Sequence, residues 1–445
     1  MVGAQRLTTM PSPTTPEHRR SLEEIEESIL GGDIEPHARP GTARAALRVR
    51  EFRVLWLGQL GSSIGSWMQT FVVGLYIDHL TRKGLWVGLA TGAQMAPLLF
   101  VPIIGGVAAD HFDRRHMLIT LQSLQLMFAL GLALSVAGND NPSKLLILSL
   151  IFAGGVCNAL NAPAWAAVLP TLVGKENLPG AISLNSAAIN GSRVIGPALA
   201  SQLFPYLGAA WLFVINAATF LFIIVSLFTV RLPKAVRSNQ TEERKSLATG
   251  FRAARADPVI GRTLITMSTF SLLCLPFVQL FPTIGRAHLG LSTSGIGRVY
   301  AVFGLGALSG SLAIGTFLAM RDKFRLARVG FAGFAVMMTL FAIGRPAPLM
   351  YPVLFVLGFF YFGTTTALLT IVQTRIDDSV RGRVMGLWFM AFGGTVALCG
   401  LVFGPLLDAT NGHVVLGIGA GAALVISLTL NLGRIERRHP AAAVA

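Results

Sequence analysis

From Val54 onward the chain is a succession of uncharged apolar runs with little between them. They cover residues 54–77, 84–109, 117–139, 145–174, 194–230, 263–285, 299–320, 329–344, 346–374, 384–407 and 414–433. A helix needs about 20 such residues to cross roughly 30 Å of hydrocarbon. Nearly every run meets that length; residues 329–344 do so only by extending back to Leu326. The 37-residue run is split by the turn signal Pro205, Tyr206, Leu207, Gly208, and its first part reaches back to Pro179. Strands of a membrane barrel would be short and alternating. These runs are long and continuously apolar, which demands helices, because a backbone in lipid must bond to itself. Only 13% of the 445 residues are charged, against about 25% in soluble domains. The expectation is an all-α membrane protein with twelve transmembrane helices.

The longest polar connection inside the apolar region, residues 231–262, falls between the sixth and seventh spans. This predicts a six-helix bundle over 51–230, a central loop over 231–262, a second bundle over 263–433 and a short tail over 434–445. Residues 1–50, with three early prolines and an acidic cluster, read as a disordered tail. No apolar core followed by a small-residue cleavage site occurs there, so no signal peptide is expected. Alternate connections differ sharply in Lys and Arg: 26 on one side, 6 on the other. The positive-inside bias puts both termini and the central loop in the cytoplasm of a multi-pass cell-membrane protein. The same topology accounts for the net charge of +15 without a nucleic-acid partner. Cys157, Cys274 and Cys399 sit inside apolar runs, with no metal-ligand spacing. No phosphate-binding glycine loop occurs, so direct ATP use is not expected. Nor is any other cofactor.

Two features suggest a repeated unit. Ser192, Gly196 and Pro197 match Gly400, Gly404 and Pro405 at an offset that also relates Gly155 to Gly363. Duplicated halves are typical of secondary transporters that rock around a central site. Gly196-Pro197 and Gly404-Pro405 are candidate kinks, since proline removes a helix hydrogen bond.

Few charges enter the spans. Arg193 is the one formal charge deep inside a run. It must face the bundle interior, to meet an anionic or polar substrate or to pair with helix carbonyls, Asn158, Asn161 or Asn190. Gln59, Ser62, Ser63, Ser66 and Gln69 form a polar stripe beside Trp67 in the first span, available for a cavity or for interhelical bonds. The substrate-binding candidates are Gln59, Ser63, Trp67, Asn158, Asn161, Arg193 and Trp388; Gln94, Asn185, Gln279, Tyr361 and Gln373 are further candidates for the same cavity. A pocket mixing aromatics and amides suits a small amphipathic molecule. No carboxylate lies mid-span. Asp78, next to His79, is therefore the candidate for proton coupling, against a plain surface pairing with Arg82 or Lys83.

The connection after the second span reads Gly105-Gly106-Val107-Ala108-Ala109-Asp110-His111-Phe112-Asp113-Arg114-Arg115. It resembles the signature of the major facilitator superfamily, with His111 and Asp113 departing from it. Further motifs resemble one branch of that superfamily, the one holding the enterobactin exporter and macrolide efflux proteins. They are Phe52-Arg53-x-Leu55-Trp56-Leu57-Gly58-Gln59, Asn161-Ala162-Pro163-Ala164-Trp165, Arg193-Val194-Ile195-Gly196-Pro197 and Arg381-Gly382-Arg383-Val384-Met385-Gly386. The resemblance implies the major facilitator fold and proton-driven export of a siderophore- or drug-like molecule, by a membrane protein acting as a monomer. It also implies a gating latch in which Asp110, with Arg114 and Arg115, holds the start of span eleven near Arg383. The incomplete Gly-Pro element of span five favours antiport only modestly. An importer or lipid-related carrier on the same fold, or a non-transporting membrane sensor, is the alternative.

Overall fold

The structure is a computed structural model that describes residues 42–101, 113–230, 247–318, 320–344, 347–376, 380–430, 432–433 and 435. The expectation resting on Asp110 lies outside these residues, as does the side chain of Arg114. Among the described residues every regular element is helical.

A short α1 (Ala43–Arg48) leads into α2 (Arg50–Thr81), whose last carbonyls are closed by Arg82 in the left-handed region. Helix α3 (Gly84–Met95) follows, and then α4 (Arg114–Val136). Asp113, which replaces the usual glycine of the signature loop, starts α4 by accepting the N–H groups of Arg115 and His116 at 2.9 and 3.0 Å. Helix α5 (Lys144–Thr229) is continuous only formally. Its backbone leaves helical geometry at Gly174 and Gly208, both at φ 71°, a conformation that glycine alone adopts freely. The two breaks divide α5 into the expected fourth, fifth and sixth rods.

A short α6 (Leu247–Ala256) precedes α7 (Pro258–Cys274), α8 (Pro276–Gln279) and α9 (Phe281–Ala287). The sequence predicts a single rod over 263–285. Pro276 and Pro282 have no N–H to donate, and Leu275 and Leu280 leave helical geometry just before them. The rest of the chain forms α10 (Thr293–Gly315), α11 (Lys323–Ile343), α12 (Ala347–Arg375), α13 (Arg381–Phe389), a π turn (Met390–Gly394), α14 (Thr395–Ala409) and α15 (Gly412–Thr429). Helix α11 begins at Lys323, so the shortest apolar run gains its missing length from a basic first turn.

Nine helices among the described residues are long and apolar enough to cross a membrane. One of them spans the Gly208 break. Helix α2 has the length but carries the polar stripe, and α7 is apolar but shorter. The protein is a multi-pass membrane protein.

The end of the bundle holding Arg50 and Thr429 is called the near end here; the opposite one, where α2 and α9 finish, is the far end. Small residues set how closely the rods approach. A methyl group on Gly196 would lie 2.7 Å from the Met68 nitrogen, so the fifth rod sits directly on α2. Helix α5 runs through Gly196-Pro197, and α14 through Pro405, without interruption. Gly155 lies against the Gln94 backbone of α3, while Gly363 lies near Gly310 of α10. The residues related by the repeat thus serve matching rods.

Candidate functional site

A cavity of about 290 Å³ lies where rods from the first and second halves of the chain meet. Helix α2 contributes Trp67, Thr70 and Phe71, and α5 contributes Asn158, Asn190 and Arg193. Across from them stand Gln279, Tyr300, Phe303, Tyr361, Phe362 and Phe392. The aromatic wall is braced by ring pairs: Phe71 lies tilted 5.1 Å from Tyr300, and Phe277 lies edge to face 5.5 Å from Phe303. Such pairs hold rings in defined positions, at roughly 0.5–1.5 kcal/mol each beyond their burial. The proline breaks at Leu275 and Leu280 bring Gln279 to the wall.

Arg193 is the charged residue of this lining. Its guanidinium carbon stands 5.0 Å from the Trp67 ring centroid and 5.3 Å from that of Phe362. Its Nε is buried and has no hydrogen-bond partner. The asparagine and carbonyl pairing weighed from sequence is absent among the described residues. A cation deep in a membrane bundle costs at least about 2.5–3.5 kcal/mol. Two aromatic faces return about 0.5–2 kcal/mol each. They leave the buried Nε without a hydrogen-bond partner.

The other sequence candidates are distributed unevenly. Trp67, Asn158, Gln279 and Tyr361 line the cavity beside Arg193. Gln59 instead donates to Ser63 at 3.3 Å, away from the lining. Asn161 accepts from Gln122 at 3.3 Å inside the first half, and Asn185 accepts from Trp165 at 3.0 Å. Gln94 donates to Thr70 at 2.7 Å, and Asn216 donates to Gln69 at 2.8 Å. Much of the polar stripe is therefore spent on bonds within the first half. Trp388 is buried in the core at 3% exposure, and its neighbour Phe389 reaches the cavity. Gln373 is exposed.

The far end is closed by two carboxylates, each held from the opposite half. Asp78, at the end of α2, accepts two N–H groups of Arg286, Nε at 2.6 Å and Nη2 at 2.9 Å. The Thr283 hydroxyl donates to it at 2.8 Å. The sequence expectation of Arg82 or Lys83 as its partner does not hold. Asp408, at the end of α14, accepts the backbone N–H groups of Gly84 at 2.6 Å and Leu85 at 2.8 Å. It caps the start of α3, where aligned peptide dipoles concentrate positive potential. Below that cap the rods touch backbone to backbone: a methyl group on Gly88 would overlap the Gly400 carbonyl.

Contacts within each half build the near end. Arg115 donates to the Phe228 carbonyl at 3.0 Å, within the first half. The start of α13 rests on α6, with Gly250 against Arg383. Asp257 caps α7 and accepts from Arg375 at 2.8 Å.

Comparison with known proteins agrees with this architecture. A family model described as transmembrane secretion effector matches residues 41–442. The enterobactin exporter EntS of Escherichia coli O9:H4 (strain HS) is 26% identical over 396 residues, 87% of this chain and 92% of that protein. The crystal structure of the nucleoside transporter NupG superposes with a TM-score of 0.70 at 13% identity, covering 86% of this chain and 98% of that one. A bacterial homologue of the iron transporter ferroportin superposes at 0.64 with 15% identity, covering 87% and 98%.

Proposed function

Since the chain belongs to the transmembrane secretion effector family of the major facilitator superfamily, and is thus a membrane transporter rather than an enzyme, we propose that it exports a small amphipathic molecule by alternating access. The observation that carries the reading is the shape of the site: an aromatic cavity between the halves, shut at the far end by cross-half bonds. The 26-to-6 distribution of Lys and Arg assigns the near end to the cytoplasm. The closed far end then faces outward, and the cavity loads from inside. The likeness to the enterobactin exporter supports the outward direction of transport.

Proton coupling is assigned to Asp78. As a carboxylate it holds Arg286 and keeps the outer end shut. Once protonated it cannot form that ion pair, and the outer end is released. Protons arriving from outside then favour the outward-open form, as antiport requires. Asp110 is assigned the corresponding inner latch, with Arg383 at the start of α13. A monomer contains every part of this cycle.

The test is accumulation of candidate compounds in cells with and without the protein. An exporter lowers accumulation, and a protonophore removes the difference. Raised accumulation would identify an importer. Asp78→Asn should abolish the protonophore-sensitive part while the protein remains in the membrane.

A further inference from the structure

The central cavity holds a charge that no described residue of its lining neutralises. Among its lining residues there is no aspartate or glutamate. Asp78, at the end of α2, is already bonded to Arg286. Arg193 leans on Trp67 from the first half and Phe362 from the second. Neither ring offers an acceptor for a hydrogen bond in the guanidinium plane, and the buried Nε has no partner.

A planar guanidinium with a free edge is complementary to an anion that offers two oxygens in one plane. The rings beside it fit a flat apolar body. Asn158, Asn190 and Gln279 supply a few neutral hydrogen-bonding groups to the same space. The volume of about 290 Å³ is at the small end of ligand pockets, which run from roughly 300 to 1,000 Å³.

We propose that Arg193 is the recognition group for a small organic monoanion, a carboxylate or similar two-oxygen anion carried on a flat apolar body. This rests on the transport reading above and narrows its substrate class. A cationic compound would leave Arg193 unserved and add a like charge, so cations are the disfavoured cargo. A neutral compound fills the aromatic space but leaves the guanidinium edge bare.

The full-length protein in phosphatidylcholine nanodiscs can be titrated calorimetrically with three probes sharing one ring system. They are 2-naphthoate, 2-naphthamide and 2-naphthylmethylammonium, each corrected by empty nanodiscs. The expected order is naphthoate at least about tenfold tighter than the amide, with the ammonium weakest. Arg193→Gln should bring naphthoate within about threefold of the amide, and Arg193→Lys should recover part of the preference. Equal binding of naphthoate and amide by the unaltered protein overturns the proposal. So does a preference that survives in Arg193→Gln, or naphthoate without saturable binding. Should the variants misfold, the order measured on the unaltered protein still decides. Efflux in cells separates the two levels of inference. Active clearance of neutral compounds, with no anion preference in binding, would keep the transporter reading and refute this one.

Discussion

Asp78→Asn is the substitution for which the structure gives the clearest magnitude. The carboxylate is 6% exposed, and its partner Arg286 is 28% exposed. Removing one partner of a fully buried pair costs about 3–5 kcal/mol. Asparagine keeps one carbonyl oxygen for Arg286 or Thr283, and Arg286 keeps some solvent, so the loss here is about 2 kcal/mol. At 1.4 kcal/mol per tenfold, that moves the balance between outer-closed and outer-open forms roughly 30-fold toward open. Spin labels on Lys83→Cys and Ala287→Cys, both exposed and on opposite sides of the pair, report the distance directly. The three native cysteines are buried and compete little for label. The unaltered background should give one short distance, and Asp78→Asn should add a long one as the dominant population. Arg286→Gln should do the same. The double variant should shift no further than either single one, since both remove one interaction. An unchanged distance distribution in both single variants would refute the assignment of this pair as an outer gate.

Asp408→Asn loses one of two charge-assisted bonds to the start of α3 and should shift the same distance distribution toward open by about 1–2 kcal/mol. Gly400→Val places a branched side chain against the Gly88 backbone, which cannot yield as a side chain can; the outer-closed population should be lost while the protein still inserts. Asp113→Ala should lower thermal stability by about 1 kcal/mol through loss of the α4 cap. The His116 and Arg115 N–H groups hold the Asp113 carboxyl below its usual range, so this contribution is present at pH above about 4 and disappears as pH falls through the lowered value. Burial, then the neighbouring His413 ring at 4.2 Å, hold His288 below the ordinary histidine value. The folded protein therefore resists a proton that the unfolded chain accepts. Stability should be flat above about pH 6.5 and fall as pH drops below it; a His288→Gln variant with the same decline would refute this.

The sequence discloses most of the rods because apolar length is a local property. It also exposes Arg193, since one charge in a long uncharged run needs no partner to be noticed. What it hides is pairing across the chain. Arg286 lies 208 residues from Asp78, and Gly84 lies 324 residues from Asp408. A reader of one sequence assigns Asp78 to its neighbours Arg82 and Lys83, because nearness along the chain is all that can be seen. The same limit misdirects Arg193 toward nearby asparagines, when its partners are rings from α2 and α12. Pro276 and Pro282 were visible as residues, yet an apolar count gives them no weight, so the seventh run reads as one rod. Asp113 reads as a departure from the signature loop until the start of α4 shows what it does there. Trp388 and Phe389 differ by one position, about 100° around a helix, which is enough to exchange core for cavity.

The two aspartates that end α14 and the second span make an informative contrast. Asp408 finishes α14 and caps the start of α3 across the interface. By sequence, Asp110 finishes the span that α3 begins and is assigned the start of α13, which continues through the π turn into α14. In the proposed cycle each of the two spans ends in a carboxylate set against the other's amino terminus, one at each membrane face. In this structure the two rods touch from Gly84 and Gly404 through Gly88 and Gly400 to Leu99 and Gly394. In the proposed cycle the inner latch forms only once the outer cap is released, and a difference of about 1–2 kcal/mol between the two then decides which face is shut when the cavity is empty.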